Sequence, residues 1–337
     1  MKNRGIVLAS RPGGTPTEEN FRMVESEVAD PKPGEFVVKV NYLSVDPYMR
    51  GRMNDSRSYA APVQIGEIMT GGAVGRVIAS AHEKFAVGDI VQGQFGWQEY
   101  AVSNGSGGVR KVDPSIAPIS TSLGILGMPG LTAYFGLLDI CDPKPGETVV
   151  VSGAAGAVGS YVGQIAKLKG CTTVGIAGSD DKVKHLLEDL GYDAAYNYRS
   201  VASHGKKLRE LCPKGIDAYF DNVGGEITDA VLTQLNVHAR IAICGQISQY
   251  NAASYEMGPR LLGMLIIARA KMQGFLVTDY APRFGQALPE LAQWVKEGKL
   301  KYREQFEEGI ENAPRAFLGM LAGKNTGKQL VRISHEN

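Results

Sequence analysis

Three glycines, Gly153, Gly156 and Gly159, stand three residues apart between an apolar run at 149–151 and a stretch with helical periodicity. Glycine adopts positive φ and lets main chain approach a ligand closely. A helix that starts just beyond such a turn offers amides and a partial positive charge, which suits a pyrophosphate. The spacing is GxxGxxG, not the GxGxxG of the common dinucleotide fingerprint. A tight strand-to-helix turn without ligand would read the same way. Strand, turn, helix and a second strand in succession favour a dinucleotide. An NAD site expects Asp or Glu at the end of that second strand. Gly178 and Ser179 stand there instead, and Lys182 follows within one helical turn, where it could meet a 2′-phosphate. Ser179 also suits a helix N-cap, with Asp180 and Asp181 in the first turn. Only a count slipped by one would bring Asp180 to a ribose. The balance predicts NADP over NAD.

Other chemistries find less support. Cys141, Cys171, Cys212 and Cys244 are widely spaced, with no CxxC pair and no close Cys/His pair suited to zinc. They read as free thiols in a reducing cytoplasm. The five histidines are scattered, and each reads as structural. Lys and Arg total 36 against 35 Asp and Glu, so no basic stripe argues for nucleic acid. The start, MKNRGIVLAS, has too short an apolar stretch for a signal peptide. The longest apolar block, residues 261–268, falls short of a membrane span and reads as a buried helix.

The elements that must carry the glycine turn follow from period. The first third reads as short strands (RGIVLAS, FRMVESEV, EFVVKVNYLSV, GGAVGRVIAS, GDIVQGQF, QEYAVS) divided by turn residues, which suits a small barrel or sandwich. From the helical stretch at 123–140 onward the pattern alternates. TVVVS, TTVGIA, AAYNY, IDAYFDNV, ARIAICG and KMQGFLV are each followed by a helix. Several are apolar on consecutive positions, as strands covered on both faces must be. Six such strands predict an α/β fold with a doubly wound parallel sheet. Val158, Val162, Ile165 and Ala166 form the apolar face of the helix after the turn, and Gly159 and Gly163 permit close packing near the sheet.

The combination of VDPYMRGRM, LGMPGLTAYFGLLDI, AAGAVGS with GQIAKLKGC, GSDDK, YFDNVGG, RIAICGQISQYN and ENAPRAFLGMLAGKNTGK resembles the zinc-free medium-chain dehydrogenase/reductases over nearly the whole chain. Within them it is most similar to the prostaglandin reductase (leukotriene B4 12-hydroxydehydrogenase) group and its bacterial NADPH-dependent curcumin and dihydrocurcumin reductases. The resemblance implies a GroES-like β-barrel domain from residues 1–126 and 300–337. It implies a six-stranded Rossmann NADP-binding domain over 127–299, the cofactor in the cleft, and a homodimer joined through sheet edges, with KMQGFLV as candidate edge strand. It implies that Gly156, Ala157, Val158 and Gly159 cradle the pyrophosphate of NADPH and that Lys182 and Tyr198 bind the adenosine end. Asn222 would line the cleft. Cys244, Gly245, Ile247, Ser248 and Tyr250 would run under the cofactor, Phe275, Leu276 and Val277 would flank the nicotinamide, and Asn325 would reach in from the tail. GKNTGK is one residue short for a P-loop and continues with Gln329 rather than Ser or Thr. Where zinc alcohol dehydrogenases carry Gly-His-Glu, this chain has Gly66 and Glu67 without histidine, and no cysteine precedes Cys141. No metal is therefore expected, and direct alcohol oxidation lacks its Lewis acid.

Reduction of an activated C=C bond needs no metal. Hydride reaches the β-carbon of an enone or enal, charge moves to the carbonyl oxygen, and a hydrogen-bond donor must stand where it develops. Several family members place a tyrosine where Ile267 stands here. The remaining donor candidates are Tyr48, Tyr59 and Tyr250, each of which could also be a packing residue, and the ribose 2′-hydroxyl of the cofactor could be the main donor with tyrosine secondary. Arg50 and Arg52 follow the DPY turn and could face the cleft, but surface salt bridging is the favoured reading. The expectation is an NADPH-dependent double-bond reductase acting on a small-molecule enone or enal, cytoplasmic and binding neither nucleic acid nor membrane. Quinone reduction and non-catalytic NADPH binding are the alternatives. Side chains of the first domain and the loop at 251–259 would shape the pocket.

Overall fold

The computed structural model describes residues 1–254 and 256–336. The loop expected to shape the pocket includes position 255, which lies outside the described residues. Two compact units are present, Met1–Leu123 with Glu304–Asn337, and Gly124–Arg303.

The first unit opens with β1 (Lys2–Leu8), β2 (Phe21–Glu27) and β3 (Phe36–Ser44). A short helix α1 (Tyr48–Arg52) follows, then β4 (Ala73–Ser80), β5 (Ile90–Gly93), β6 (Tyr100–Ser103) and β7 (Arg110–Lys111). Every run read as a strand is one; the two-residue β7 carries no pattern to read. β1 and β2 form an antiparallel pair. β3 pairs with β4 and β6, and its register against β4 shifts twice, the bulges that let a strand bend in a barrel. Because β3 has neighbours on both edges, eight of its nine residues are buried. Phe36, Val38, Met49, Trp97 and Phe317 anchor the core beneath it.

The second unit contains α2 (Met128–Phe135), β8 (Thr148–Val151), α3 (Ala157–Leu168), β9 (Thr172–Ala177), α4 (Asp180–Glu188), β10 (Ala194–Asn197), α5 (His204–Leu211), β11 (Ile216–Asp221), α6 (Gly225–Leu232), β12 (Leu235–Ile243), α7 (Leu262–Ala268), β13 (Lys271–Gly274) and α8 (Phe284–Lys296). The six strands are parallel in the order β10-β9-β8-β11-β12-β13. Strand periodicity divides the apolar run between two cores. Val149 and Val151 enter one with Val162, Ile165 and Leu291, while Val150 enters the other with Val174, Ile176 and Ile241. Both faces are therefore covered, as a doubly wound Rossmann sheet requires. KMQGFLV contributes the edge strand β13. The chain then returns to the first unit as β14 (Glu304–Glu308), α9 (Ala313–Leu321) and β15 (Lys328–Arg332), where β15 lies between β14 and β3. The architecture is a GroES-like domain and a Rossmann domain.

Two expectations need correction. Residues 261–268 do form a helix, but it is not a buried one. Of α7 only Ala268 is buried, and Leu262, Ile266 and Ile267 are 70%, 79% and 69% exposed. Apolar composition reports a need for cover without saying what provides it. Arg50 and Arg52 are not surface salt-bridging residues either. Arg50 is buried, its guanidinium donating to the Gly14 carbonyl at 2.7 Å and the Asn54 side chain at 2.6 Å, and the Arg52 Nε is buried without a hydrogen-bond partner. No described helix is long and apolar enough to cross a membrane. All four cysteines are free, three of them buried.

Candidate functional site

The Rossmann sheet reverses its strand order between β8 and β11, and such a switch point opens a crevice at the carboxyl ends of the strands. The glycine turn leaves β8 on one side of it and the Asn222 loop leaves β11 on the other. Gly153 has φ +58°, and its carbonyl accepts the amide of Gly156 at 3.0 Å, which closes the turn. A Cβ on Gly159 would lie 2.5 Å from that same carbonyl oxygen. The floor of the turn is thus bare main chain. Gly156 is the N-cap of α3, so the amides of Ala157, Val158 and Gly159 are the ones the helix cannot satisfy internally. Gly163 spaces α3 from the Tyr192 ring rather than from the sheet, a Cβ there falling 1.9 Å from it, and the Tyr192 hydroxyl donates to the Gly159 carbonyl at 2.7 Å.

A buried carboxylate that sequence reasoning missed knits the loops across the crevice. Asp221 accepts from Ser152 Oγ (2.9 Å), Tyr219 OH (2.9 Å), Thr228 Oγ1 (2.7 Å), the Val223 and Gly224 amides (2.9 Å each) and Gln246 Nε2 (3.1 Å). Asn222 donates from its amide to Ser152 Oγ at 2.9 Å and from Nδ2 to the Ser152 carbonyl at 2.8 Å. The 244–250 segment is tied to the same loop. Cys244 N donates to the Asp221 carbonyl at 2.9 Å, and Ser248 Oγ to the Val223 carbonyl at 2.6 Å. Ile247 and Ser248 begin a single turn that Tyr250 ends, and the Tyr250 hydroxyl accepts the Gln246 amide at 3.3 Å while packing on Gly245. Burial pushes the Cys244 thiol up to about 12, so it is a neutral wall residue. Phe275, Leu276 and Val277 follow β13, and Phe275 stacks edge-on against Phe220.

At the far end of the crevice β9 stops at Ala177 and Ser179 caps α4, its hydroxyl accepting the Lys182 amide at 3.4 Å. Asp180 accepts from Asn197 Nδ2 at 2.9 Å. Gly178 leaves room for the Tyr198 ring, 3.0 Å from where a Cβ would be. Arg199, also missed, places its guanidinium 5.5 Å from the centre of that ring and donates from Nε to the Tyr198 hydroxyl at 3.3 Å. The Lys182 ammonium is lowered, first by burial and then by the charge of Arg199. Two cations at this end of the crevice, one of them bonded to the Tyr198 hydroxyl, suit a phosphate dianion. The bare glycine floor and this pair together match the shape and charge of NADPH.

The GroES-like domain carries the other candidates. Tyr48 opens α1 and its hydroxyl reaches Gln94 Oε1 at 3.4 Å. Burial, then the nearby Asp46 and Tyr59, push its pKa well up. The Tyr59 side chain is 61% exposed. Asn325 folds back on its loop, Nδ2 donating to the Gly327 carbonyl at 2.9 Å. Tyr48 and Tyr59 are thus neighbours in one unit, while Tyr250 belongs to the other.

Residues 4–112 match the model of an N-terminal domain of oxidoreductases, and residues 157–296 that of a zinc-binding dehydrogenase. The chain is 49% identical to the NADPH-dependent curcumin reductase of Escherichia coli, covering all of this chain and 99% of that protein. It belongs to the medium-chain dehydrogenase/reductase family. A second member, the NADP(+)-dependent 2-alkenal reductase of Nicotiana tabacum, is 42% identical over all of this chain and 99% of its own. Among solved structures of the family, CurA of Vibrio vulnificus in complex with NADPH superposes with a TM-score of 0.94 at 50% identity, covering 98% of this chain and 99% of that one. One matched family model is named for a zinc-binding dehydrogenase. No group of three or more His, Cys, Asp or Glu among the described residues could hold an ion.

Proposed function

We propose that this chain is an NADPH-dependent reductase of the C=C bond of α,β-unsaturated ketones and aldehydes, curcumin-type enones and alkenals among them. The observation that carries the cofactor is Arg199 bonded to the Tyr198 hydroxyl, with the Tyr198 ring against Gly178 at the end of β9 and Lys182 in the first turn of α4, where no carboxylate takes the strand-end position. The full-length relatives, named for curcumin and 2-alkenals, support the substrate class.

When bound, NADPH supplies a hydride from C4 of its nicotinamide. The protein supplies position. The amides of Ala157, Val158 and Gly159 would hold the pyrophosphate against the glycine floor. Lys182, Tyr198 and Arg199 would hold the 2′-phosphate. Asn222 and the segment from Cys244 to Tyr250 would form the wall, Phe275, Leu276 and Val277 would flank the nicotinamide, and Asn325 would approach from the tail. As charge gathers on the substrate carbonyl oxygen, a neutral donor is wanted there. Tyr48 suits that task better than Tyr59, because it is half-buried with its hydroxyl held by Gln94 whereas Tyr59 is 61% exposed. The hydroxyl would donate a hydrogen bond to that oxygen, and the α-carbon would take its proton from solvent or an acid.

The sheet edge at β13 and the exposed apolar side of α7 beside it support a homodimer built through that edge. Four free thiols suit the cytoplasm.

The test is NADPH consumption by purified protein on a panel of enones, enals and quinones, with NMR of the products and NADH as control. Saturated ketones and aldehydes, formed with NADPH strongly preferred, are the expected result. Turnover of quinones alone would replace the reading, and tight NADPH binding without any turnover would make the protein a binder.

A further inference from the structure

Two motifs that the site uses only in part, VDPYMR and GKNTGK, meet inside the GroES-like domain. Lys328 is completely buried, and so is Asp46 apart from a trace of surface. The Lys328 Nζ donates to Asp46 Oδ1 at 2.9 Å, to the Val45 carbonyl at 2.9 Å and to the Gln329 carbonyl at 3.1 Å. An ammonium has three protons, so this set uses all of them. The other Asp46 oxygen accepts from Ser44 Oγ. Glu304, opposite Lys328 in the β14–β15 ladder, is the remaining acid nearby, and its carboxylate is held by Ser120 Oγ at 2.7 Å.

A buried ion pair is a weak device for stability, since apolar residues of the same volume serve as well or better. An apolar pair cannot, however, fix two main chains by direction. Here two of the three ammonium acceptors lie on residues 45 and 46, directly before Pro47 and Tyr48. The Asp46 carbonyl then accepts the Met49 amide at 3.2 Å, so α1 starts from the residue the lysine holds. On the other side Lys328 directly follows Gly327, whose carbonyl holds the Asn325 side chain. We infer that Asp46 and Lys328 are positioning residues for the reaction, a clamp that sets the main chain carrying Tyr48 and the loop carrying Asn325. The inference rests on the proposed role of Tyr48 as donor.

The experiment compares the parent, Tyr48→Phe, the double variant Asp46→Asn/Lys328→Met and all three changes together. The double variant removes both members of the ion pair and leaves Glu304 with Ser120 Oγ as its hydrogen-bond donor. Fold is checked by circular dichroism and melting, kcat and KM are measured for an enone and for NADPH, and fluorotyrosine at position 48 is followed by 19F NMR. The double variant should fold, lose on the order of tenfold to a hundredfold in kcat, as a small misplacement of a catalytic group does, and shift the fluorine resonance. In the Tyr48→Phe background the same two changes should cost little more. A double variant at the parent rate, with Tyr48→Phe impaired, overturns the clamp and leaves the donor standing. Tyr48→Phe at the parent rate overturns the donor and the clamp with it. If the double variant does not fold, Asp46→Glu keeps the charge and lengthens the arm. It should lower kcat and move the resonance, and a parent-like result overturns the inference.

Discussion

At the scale of single residues, charge decides what the crevice accepts. Lys182 and Arg199 are both cations at the adenosine end, and a phosphate dianion bound there would give each a charge-assisted hydrogen bond worth about 1.5–3 kcal/mol. Lys182→Ala and Arg199→Gln should each raise KM for NADPH about tenfold to a hundredfold and leave KM for NADH nearly unchanged; equal effects on both cofactors would remove the pair from that role. Glu304 offers a test in pH. Burial raises its carboxyl, against the weaker pull of the Ser120 bond and the Lys328 charge. With the folded pKa above the unfolded one, its favourable contribution is complete below the ordinary Glu value and is lost as pH rises through the folded value. Glu304→Gln should therefore gain Tm relative to the parent as pH goes from acidic to neutral; a difference independent of pH would contradict this. Lys182 could be proposed from sequence because it stands within one helical turn of the strand end, in the first turn of α4. Arg199 was not, because one arginine after a tyrosine carries no pattern. Asp46 and Lys328 are 282 residues apart, and only the topology reveals that they touch.

At the scale of elements, period was enough to place the strands and helices of the Rossmann sheet, since alternation and consecutive apolar runs record which faces are covered. The packing of α3 was less readable. Gly163 looked like clearance for the sheet, whereas its neighbour is the ring of Tyr192, on the segment between α4 and β10. That ring is buried, so a methyl group has nowhere to go. Gly163→Ala should lower stability by about 1–3 kcal/mol, the usual cost of overpacking, readable as a drop in urea midpoint. Because Tyr192 also holds the Gly159 carbonyl, NADPH affinity should fall with it. A variant as stable as the parent would show that α3 can slide.

At the scale of the whole molecule, the apolar side of α7 is what the sequence pattern misplaced. Hydrophobicity called for burial, but a single chain buries only the inner side, where Met264 and Leu265 pack on the core. Ile266→Glu should convert the proposed dimer to a monomer in light scattering while leaving circular dichroism unchanged; a parent that is already monomeric would send that surface in search of another cover.

The place of β15 between β14 and β3 has a further consequence, one of timing. A ribosome delivers residues in order, and the sheet begun by β3 waits for residues 328–332, which emerge nearly three hundred positions later. The Rossmann domain, contiguous from 124 to 303, can be complete before then. Until the closing strand arrives, Asp46 has no lysine beside it and the Tyr42–Ser44 end of β3 lacks its β15 partner. The nascent chain therefore passes through a stage with its cofactor domain made and its first domain unfinished, and this is the stage at which a chaperone would find most to bind.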